Sequence, residues 1–216
     1  MHILVLGATG RVGRQIVNYA LRDGQDVTAL VRTPEKVQAH HPHLTVFQGN
    51  VLHPEDVLHA TQGVDVVISA LNTDGTTTLS ESTPILIEAM YRRGIQRIIT
   101  VGTAGILQSR TDPNVLRYQS SESKRKSTRA AEEHHRAFSL LQSSTLDWTI
   151  VCPTYLPDGE RLGIYRVERD VLPEGGTEIS VGIPPNSRTN SSMIVSILML
   201  VWVFPTDGQM HTSQCP

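Results

Sequence analysis

The chain has only two cysteines, Cys152 and Cys215, in 216 residues. Two distant thiols without metal-type spacing supply neither a disulfide framework nor a zinc site, which fits a reducing cytoplasm. A large excess of one charge is also missing. The net charge is −2, so nothing points to nucleic acid or another polyanion as partner. The apolar run from Met193 to Phe204 is about half of what a helix needs to cross a bilayer, so no membrane anchor is expected. The chain opens on a strand, not on a charged segment leading to an apolar stretch and a cleavage site, so no export signal is expected. There is no internal repeat and no linker that would mark a second domain. His40, His41 and His43 stand together, but without a carboxylate or cysteine at ligand spacing they are expected at the surface, and no metal is expected. These absences leave a soluble cytoplasmic protein of one enzyme-sized domain, a monomer or weak homo-oligomer.

What is present begins at once. An apolar strand, Ile3 to Leu6, runs into Gly7-Ala-Thr-Gly10-Arg-Val-Gly13 and then a helix. Gly7 suits a tight turn, Gly10 keeps side chains away from the backbone amides, and Gly13 allows the next helix to pack closely. The amides and the dipole at that helix start favour a diphosphate. The helix, about Val12 to Arg22, puts Val12, Ile16, Val17, Ala20 and Leu21 on one face and turns Arg14, Gln15 and Asn18 outward. A second strand, Val27 to Val31, ends at Arg32-Thr33. At that strand end an acidic residue would accept from a ribose 2′-hydroxyl. Arg32 cannot accept, and its planar donors suit a 2′-phosphate, with Thr33 and Arg11 adding a hydroxyl and a second charge. The expected cofactor is NADP(H).

Strands and helices then alternate. Strands are expected at Leu44–Gln48, Val64–Leu71, Gln96–Val101 and Asp147–Cys152, with helices near Glu55–Thr61, Ser80–Arg93 and Ser127–Gln142. A polar stretch fills Gln108 to Lys126, and the basic cluster Lys124, Arg125, Lys126 and Arg129 suits a solvated surface. This pattern predicts an α/β fold: a Rossmann-type, doubly wound parallel sheet with helices on both faces, in a single domain. Ligands bind beyond the carboxyl ends of such strands. That rule selects Gly7–Gly13, Arg32, Asn50, Leu71 and Asn72, Gly102 and Thr103, and Pro153–Tyr155.

The glycine turn, Thr28-Ala-Leu-Val-Arg32 and Leu146-Asp-Trp-Thr-Ile-Val-Cys-Pro153 resemble the atypical short-chain dehydrogenase/reductases. Within them the chain is most similar to the biliverdin-IXβ reductase/flavin reductase type and to NmrA-like proteins. The likeness covers about Met1 to Val181 and includes Asp158-Gly159 and Gly163-Ile-Tyr165-Arg166. It implies a Rossmann fold binding NADPH, with a shallow pocket over the nicotinamide. It places Gly7, Thr9, Gly10, Arg11, Val12 and Gly13 at the diphosphate and Arg32 at the 2′-phosphate. Asn50 and Val51 fall beside the adenine, where such proteins usually carry aspartate. Leu71 and Asn72 fall along the nicotinamide ribose. Thr103 stands where these reductases carry a serine, and Tyr155 where the mammalian flavin reductase has a histidine.

The proton-transfer pair Tyr-x-x-x-Lys of the wider dehydrogenases is missing, since Tyr118 has Glu122 four residues on. A carbonyl–alcohol dehydrogenase, or a sugar-nucleotide epimerase or dehydratase, is therefore disfavoured. Hydride transfer to a small-molecule electron acceptor, an electron-poor flavin-, quinone- or tetrapyrrole-like ring, needs orientation above all, and its proton can come from water. Thr103 and Tyr155 are the candidate catalytic residues. The alternative is a non-catalytic, NmrA-like redox sensor that binds NADP(H) and a partner protein.

The character of the chain changes after Val181. Joining the third base of each codon from Gly182 onward to the first two of the next permits Asp-Thr-Ala-Glu-Phe-Ala-Tyr-Glu-Gln-Leu-His-Asp-Ser-Glu-Tyr, then a stop at the Thr206–Asp207 junction. The resembled families continue with a helix opening Asp-x-Ala-x-Phe. A one-base shift of the reading frame is therefore expected to have replaced the native C-terminal helix. Residues 1–181 then form the nucleotide-binding domain and residues 182–216 an aberrant tail.

Overall fold

Runs of β-branched and aliphatic residues build six strands, and a computed structural model describes them within residues 1–73, 75–155 and 167–176. The chain order is β1 (His2–Leu6), α1 (Arg11–Arg22), β2 (Asp26–Val31), β3 (Leu44–Gln48), α2 (Pro54–Ala60) and β4 (Val66–Ser69). It continues with α3 (Thr78–Arg93), β5 (Arg97–Val101), α4 (Arg129–Gln142) and β6 (Asp147–Val151). All pairings are parallel, in the order β3-β2-β1-β4-β5-β6. The order reverses between β1 and β4, which opens a crevice there at the carboxyl ends of the strands. This is the expected Rossmann-type sheet.

Alternate side chains of each strand enter different cores. Ile3, Val5, Val27, Ala29, Val66 and Ile68 pack with Ile16, Val17, Tyr19 and Ala20 of α1. Leu4, Leu6, Leu30, Val67 and Ile98 pack with Val57 of α2, Leu86 and Met90 of α3, and Leu141 of α4. Full burial of both faces explains why β1, β2 and β4 are almost wholly apolar. β3, at the edge, has no fully buried residue: Leu44 and Phe47 are half-buried and Thr45, Val46 and Gln48 exposed.

Several boundaries move from their expected places. β4 covers Val66–Ser69 only, because its ladder to β1 ends where Leu6 meets Ser69. Leu71 therefore lies past the strand tip. α3 starts at Thr78 and continues through Pro84, which brings no N–H to the carbonyl one turn back. Gly94, at φ 71°, ends it in the left-handed conformation that favours glycine. Arg14, expected outward, is half-buried: its guanidinium donates to the Thr9 carbonyl at 3.1 Å and to Gln38 Oε1 at 3.1 Å. Tyr19, unassigned in the amphipathic pattern, is 3% exposed and has the Arg22 guanidinium 4.5 Å from its ring centroid.

Candidate functional site

Three glycines set the geometry of the first crossover. Gly7 has φ 74°, and a Cβ there would overlap the Ala70 carbonyl where the chain leaves β4. Gly13 lies so close to the Gly7 carbonyl that a Cβ would overlap it too. At Gly10 the only neighbour a Cβ would meet is the Gly7 carbonyl oxygen, at 3.1 Å. The turn is closed by the Gly10 amide donating to Gly7 at 2.9 Å. Gly10 is also the N-cap of α1, with no side-chain cap and no acidic residue in the first turn. The first amides of a helix lack intrahelical acceptors, so an anion above Gly10 meets donors and the positive dipole end without a competing carboxylate. Gly7 and Gly13 thus serve packing, and Gly10 leaves the approach open. Among the described residues, this cradle fits a diphosphate.

Arg11, Arg32 and Thr33 are exposed around it, Arg32 directly beyond β2. The Arg14 fork joins this region together, tying the turn at Thr9 to Gln38 beyond β2. A charged residue inside the helical periodicity gave no sign of this, because only the fold brings Gln38 within its reach.

The remaining candidates lie at the strand tips. Asn50 forms a local turn: its Oδ1 accepts from the Leu52 amide at 3.1 Å, and its own amide donates to Asp56 Oδ2 at 2.8 Å. Val51 and Leu71 pack half-buried on the core shared with α2, α3 and α4. Asn72 is exposed, with Oδ1 accepting from the Thr73 amide at 2.8 Å. Gly102 sits where a Cβ would stand 2.6 Å from Ile150 Cγ2 and 3.1 Å from Cys152 Sγ. Thr103 Oγ1 accepts from the Gly105 amide at 3.4 Å and caps the short turn Ala104–Ile106. Pro153 is buried, its carbonyl accepting from Ala104 at 3.2 Å, whereas Tyr155 is 60% exposed. Asp158, Gly159, Gly163, Tyr165, Arg166 and the whole tail lie outside the described residues.

Cys152 stands between these groups. Burial pushes its thiol up to about 12, against one hydrogen bond from the Thr103 amide. It is a packing residue below the site, not a nucleophile.

The loop after β5 explains what replaced the missing pair. Tyr118 Oη lies 3.0 Å from His135 Nδ1 on α4. Glu122, at the lysine position, accepts from Ser109 Oγ at 3.0 Å and from the Arg110 and Thr111 amides at 2.6 and 2.8 Å. The Thr111 amide above all holds its carboxyl below the usual range. Glu122 therefore organises the loop, and Tyr118 clasps it to α4.

Two further residues escaped the sequence analysis. Glu133 is 1% exposed, and it accepts from the Ser80 amide and hydroxyl at 2.8 and 2.9 Å and from Arg136 at 2.9 Å. Burial works to raise its carboxyl, but these donors outweigh it and the group lies below its usual value. Beside it, burial lowers the His134 imidazole, with the Glu133 charge opposing. Among the described residues, no three His, Cys, Asp or Glu side chains converge as a metal site. No described helix is long and apolar enough to cross a membrane.

Residues 7–182 match the NAD(P)H-binding family. The chain belongs to this family. Over 106 residues it is 34% identical to the Photosystem II assembly factor Ycf39 of Synechocystis sp., covering 46% of this chain and 32% of that protein. The match thus spans about a third of the length of such curated relatives. Among solved structures, a Bacteroides thetaiotaomicron protein proposed to be an epimerase is 27% identical with a TM-score of 0.76, over 95% of this chain and 92% of that one. A Streptococcus pneumoniae TIGR4 protein proposed to be an NADH-flavin reductase is 26% identical with a TM-score of 0.72, over 93% and 91%. These are similarities of the whole domain, so the family and the geometry of the first crossover agree.

Proposed function

We propose that the chain is an NADP(H)-dependent oxidoreductase that reduces a flavin-, quinone- or tetrapyrrole-like acceptor. One observation carries the choice of chemistry: Tyr118, the only tyrosine in the loop between β5 and α4, has its hydroxyl on His135 and a glutamate at the lysine position. An alcohol or sugar-nucleotide chemistry needs a phenol activated by a cation. That requirement weighs against the epimerase likeness and supports the flavin-reductase likeness.

Gly10 and the amides opening α1 would hold the diphosphate, and Arg32, with Thr33, the 2′-phosphate. Bound there, the cofactor supplies a hydride. The protein's own part is orientation. The Thr103 hydroxyl accepts locally and retains a proton to donate, and exposed Tyr155 offers a face and a hydroxyl to an acceptor. A planar acceptor stacked at the strand tips needs little more.

The second reading is an NmrA-like sensor, favoured by the same lack of an activated phenol and by likeness to an assembly factor. NADPH oxidation measured with free flavins, quinones and tetrapyrroles decides between them. Turnover with one of these classes supports the reductase. Tight NADP(H) binding without turnover refutes it and supports the sensor.

A further inference from the structure

The Arg14 guanidinium spans two parts of the chain that the nucleotide site needs in register. Nη2 donates to the Thr9 carbonyl at 3.1 Å, and Nη1 donates to Gln38 Oε1 at 3.1 Å. The Thr9 carbonyl belongs to the same planar peptide as the Gly10 amide, which donates to Gly7 at 2.9 Å. Both ends of that peptide are therefore held, directly before the helix start whose amides suit a diphosphate. On the other side, Gln38 closes a compact segment that opens at Thr33. The Lys36 amide donates to the Thr33 carbonyl at 3.1 Å and the Val37 amide to Pro34 at 2.9 Å. Val37 also packs against the core shared with α1. Little slack thus separates Gln38 from Arg32, directly beyond β2. The third edge of the guanidinium, Nε, is buried and has no hydrogen-bond partner. Covering a donor without an acceptor is unfavourable, so the burial itself does not favour an arginine here. What an arginine offers is a planar fork that reaches two acceptors at once, a span that a lysine ammonium lacks.

We propose that Arg14 is a positioning residue that couples the diphosphate turn to the 2′-phosphate end of the site, and that the tie from Thr9 through Arg14 to Gln38 sets the preference for NADP(H) over NAD(H). The inference rests on the assignment of the 2′-phosphate to Arg32 in the reading above. Arg14 acts through its two acceptors and not by touching the coenzyme, since both Nη groups serve the protein and the Nε edge is covered. A segment held in place before binding has less ordering cost to meet when the ligand arrives. NADP(H) engages both ends of the tie, whereas NAD(H) engages the diphosphate turn alone. Loosening the tie at Gln38 therefore weakens the phosphorylated coenzyme selectively. Loosening it at Arg14 weakens both, and NADP(H) more.

Titration calorimetry of the full chain with NADP⁺ and NAD⁺ reads the tie as the ratio of the two Kd values, which a general loss of stability does not move. Gln38→Ala is expected to weaken NADP⁺ about tenfold and to leave NAD⁺ within about twofold. Arg14→Lys keeps the charge and breaks the span. It is expected to weaken NADP⁺ by at least the same factor and NAD⁺ by less. The double variant should bind NADP⁺ no more weakly than Arg14→Lys alone, because a single tie is lost once. Gln38 is exposed, so Gln38→Ala decides the matter if Arg14→Lys does not fold. A wild-type ratio in Gln38→Ala or in folded Arg14→Lys, or losses that add in the double variant, overturns the coupling alone. Wild-type protein that binds neither coenzyme, or both equally, overturns the placing of the 2′-phosphate, and the coupling with it.

Discussion

At the scale of single residues, position 32 has the most direct consequence. A guanidinium at the end of β2 donates only, so it discriminates between a phosphate and a hydroxyl on the adenosine ribose. A hydrogen bond to a charged group contributes about 1.5–3 kcal/mol, roughly a ten- to hundredfold change in Kd. Arg32→Asp is therefore expected to weaken NADPH by that factor and to improve NADH. Titration calorimetry with both coenzymes measures it, and unchanged preference would remove Arg32 from the site. Cys152 makes the opposite kind of point. With its thiol pushed up to about 12, its thiolate fraction at pH 8 is about a thousandfold below that of an ordinary thiol. In Cys215→Ser protein, which isolates Cys152, alkylation by iodoacetamide should be slower by that order. Reaction at the rate of a free thiol would show that the site is open to solvent.

At the scale of elements, α3 and α4 are joined through one buried carboxylate. Glu133 meets the first turn of α3 at Ser80, so its charge faces the helix end that favours anions. Its folded-state value lies below the ordinary 4.5, so its contribution is fully present above that pH and is lost as pH falls through the lowered value. Wild type should therefore exceed Glu133→Gln in Tm at pH 7, and the gap should close as melts are taken toward pH 3. A gap independent of pH would mean that shape, not charge, joins the helices. None of this was legible from the chain, because a glutamate within Ala131-Glu-Glu-His-His reads as one more solvated position. The strands were legible. Ile3–Leu6 is apolar without a break and Val27–Val31 apolar but for the buried Thr28, because helices cover both faces, and Leu44–Gln48 matched its bounds. The shorter β4 was not, since pairing with Leu6, not hydrophobicity, decides where it stops.

At the scale of the molecule, the diphosphate cradle was legible because backbone builds it, and backbone conformation at Gly7 and Gly13 is written directly in residue type. The strand-tip residues were selected by the sheet rule and the family resemblance, whereas Arg14 and Glu133 act through Gln38 and Ser80, neighbours more than twenty residues away. This locality has a consequence for the tail. The cradle uses β1, α1 and the end of β2, so an out-of-frame segment after Val181 would lower stability through unselected apolar surface without altering the cradle. At a hundred times Kd, NADP⁺ should stabilise the protein by about 2.7 kcal/mol, roughly 5–10 °C in Tm at this size. A chain carrying the shifted reading from position 182 should melt higher and bind less of a hydrophobic dye, yet show the same increment with NADP⁺. Coding DNA incompatible with the shifted codons would end the frame argument. An increment that appears only in the restored chain would mean that the C-terminal segment completes the nucleotide site.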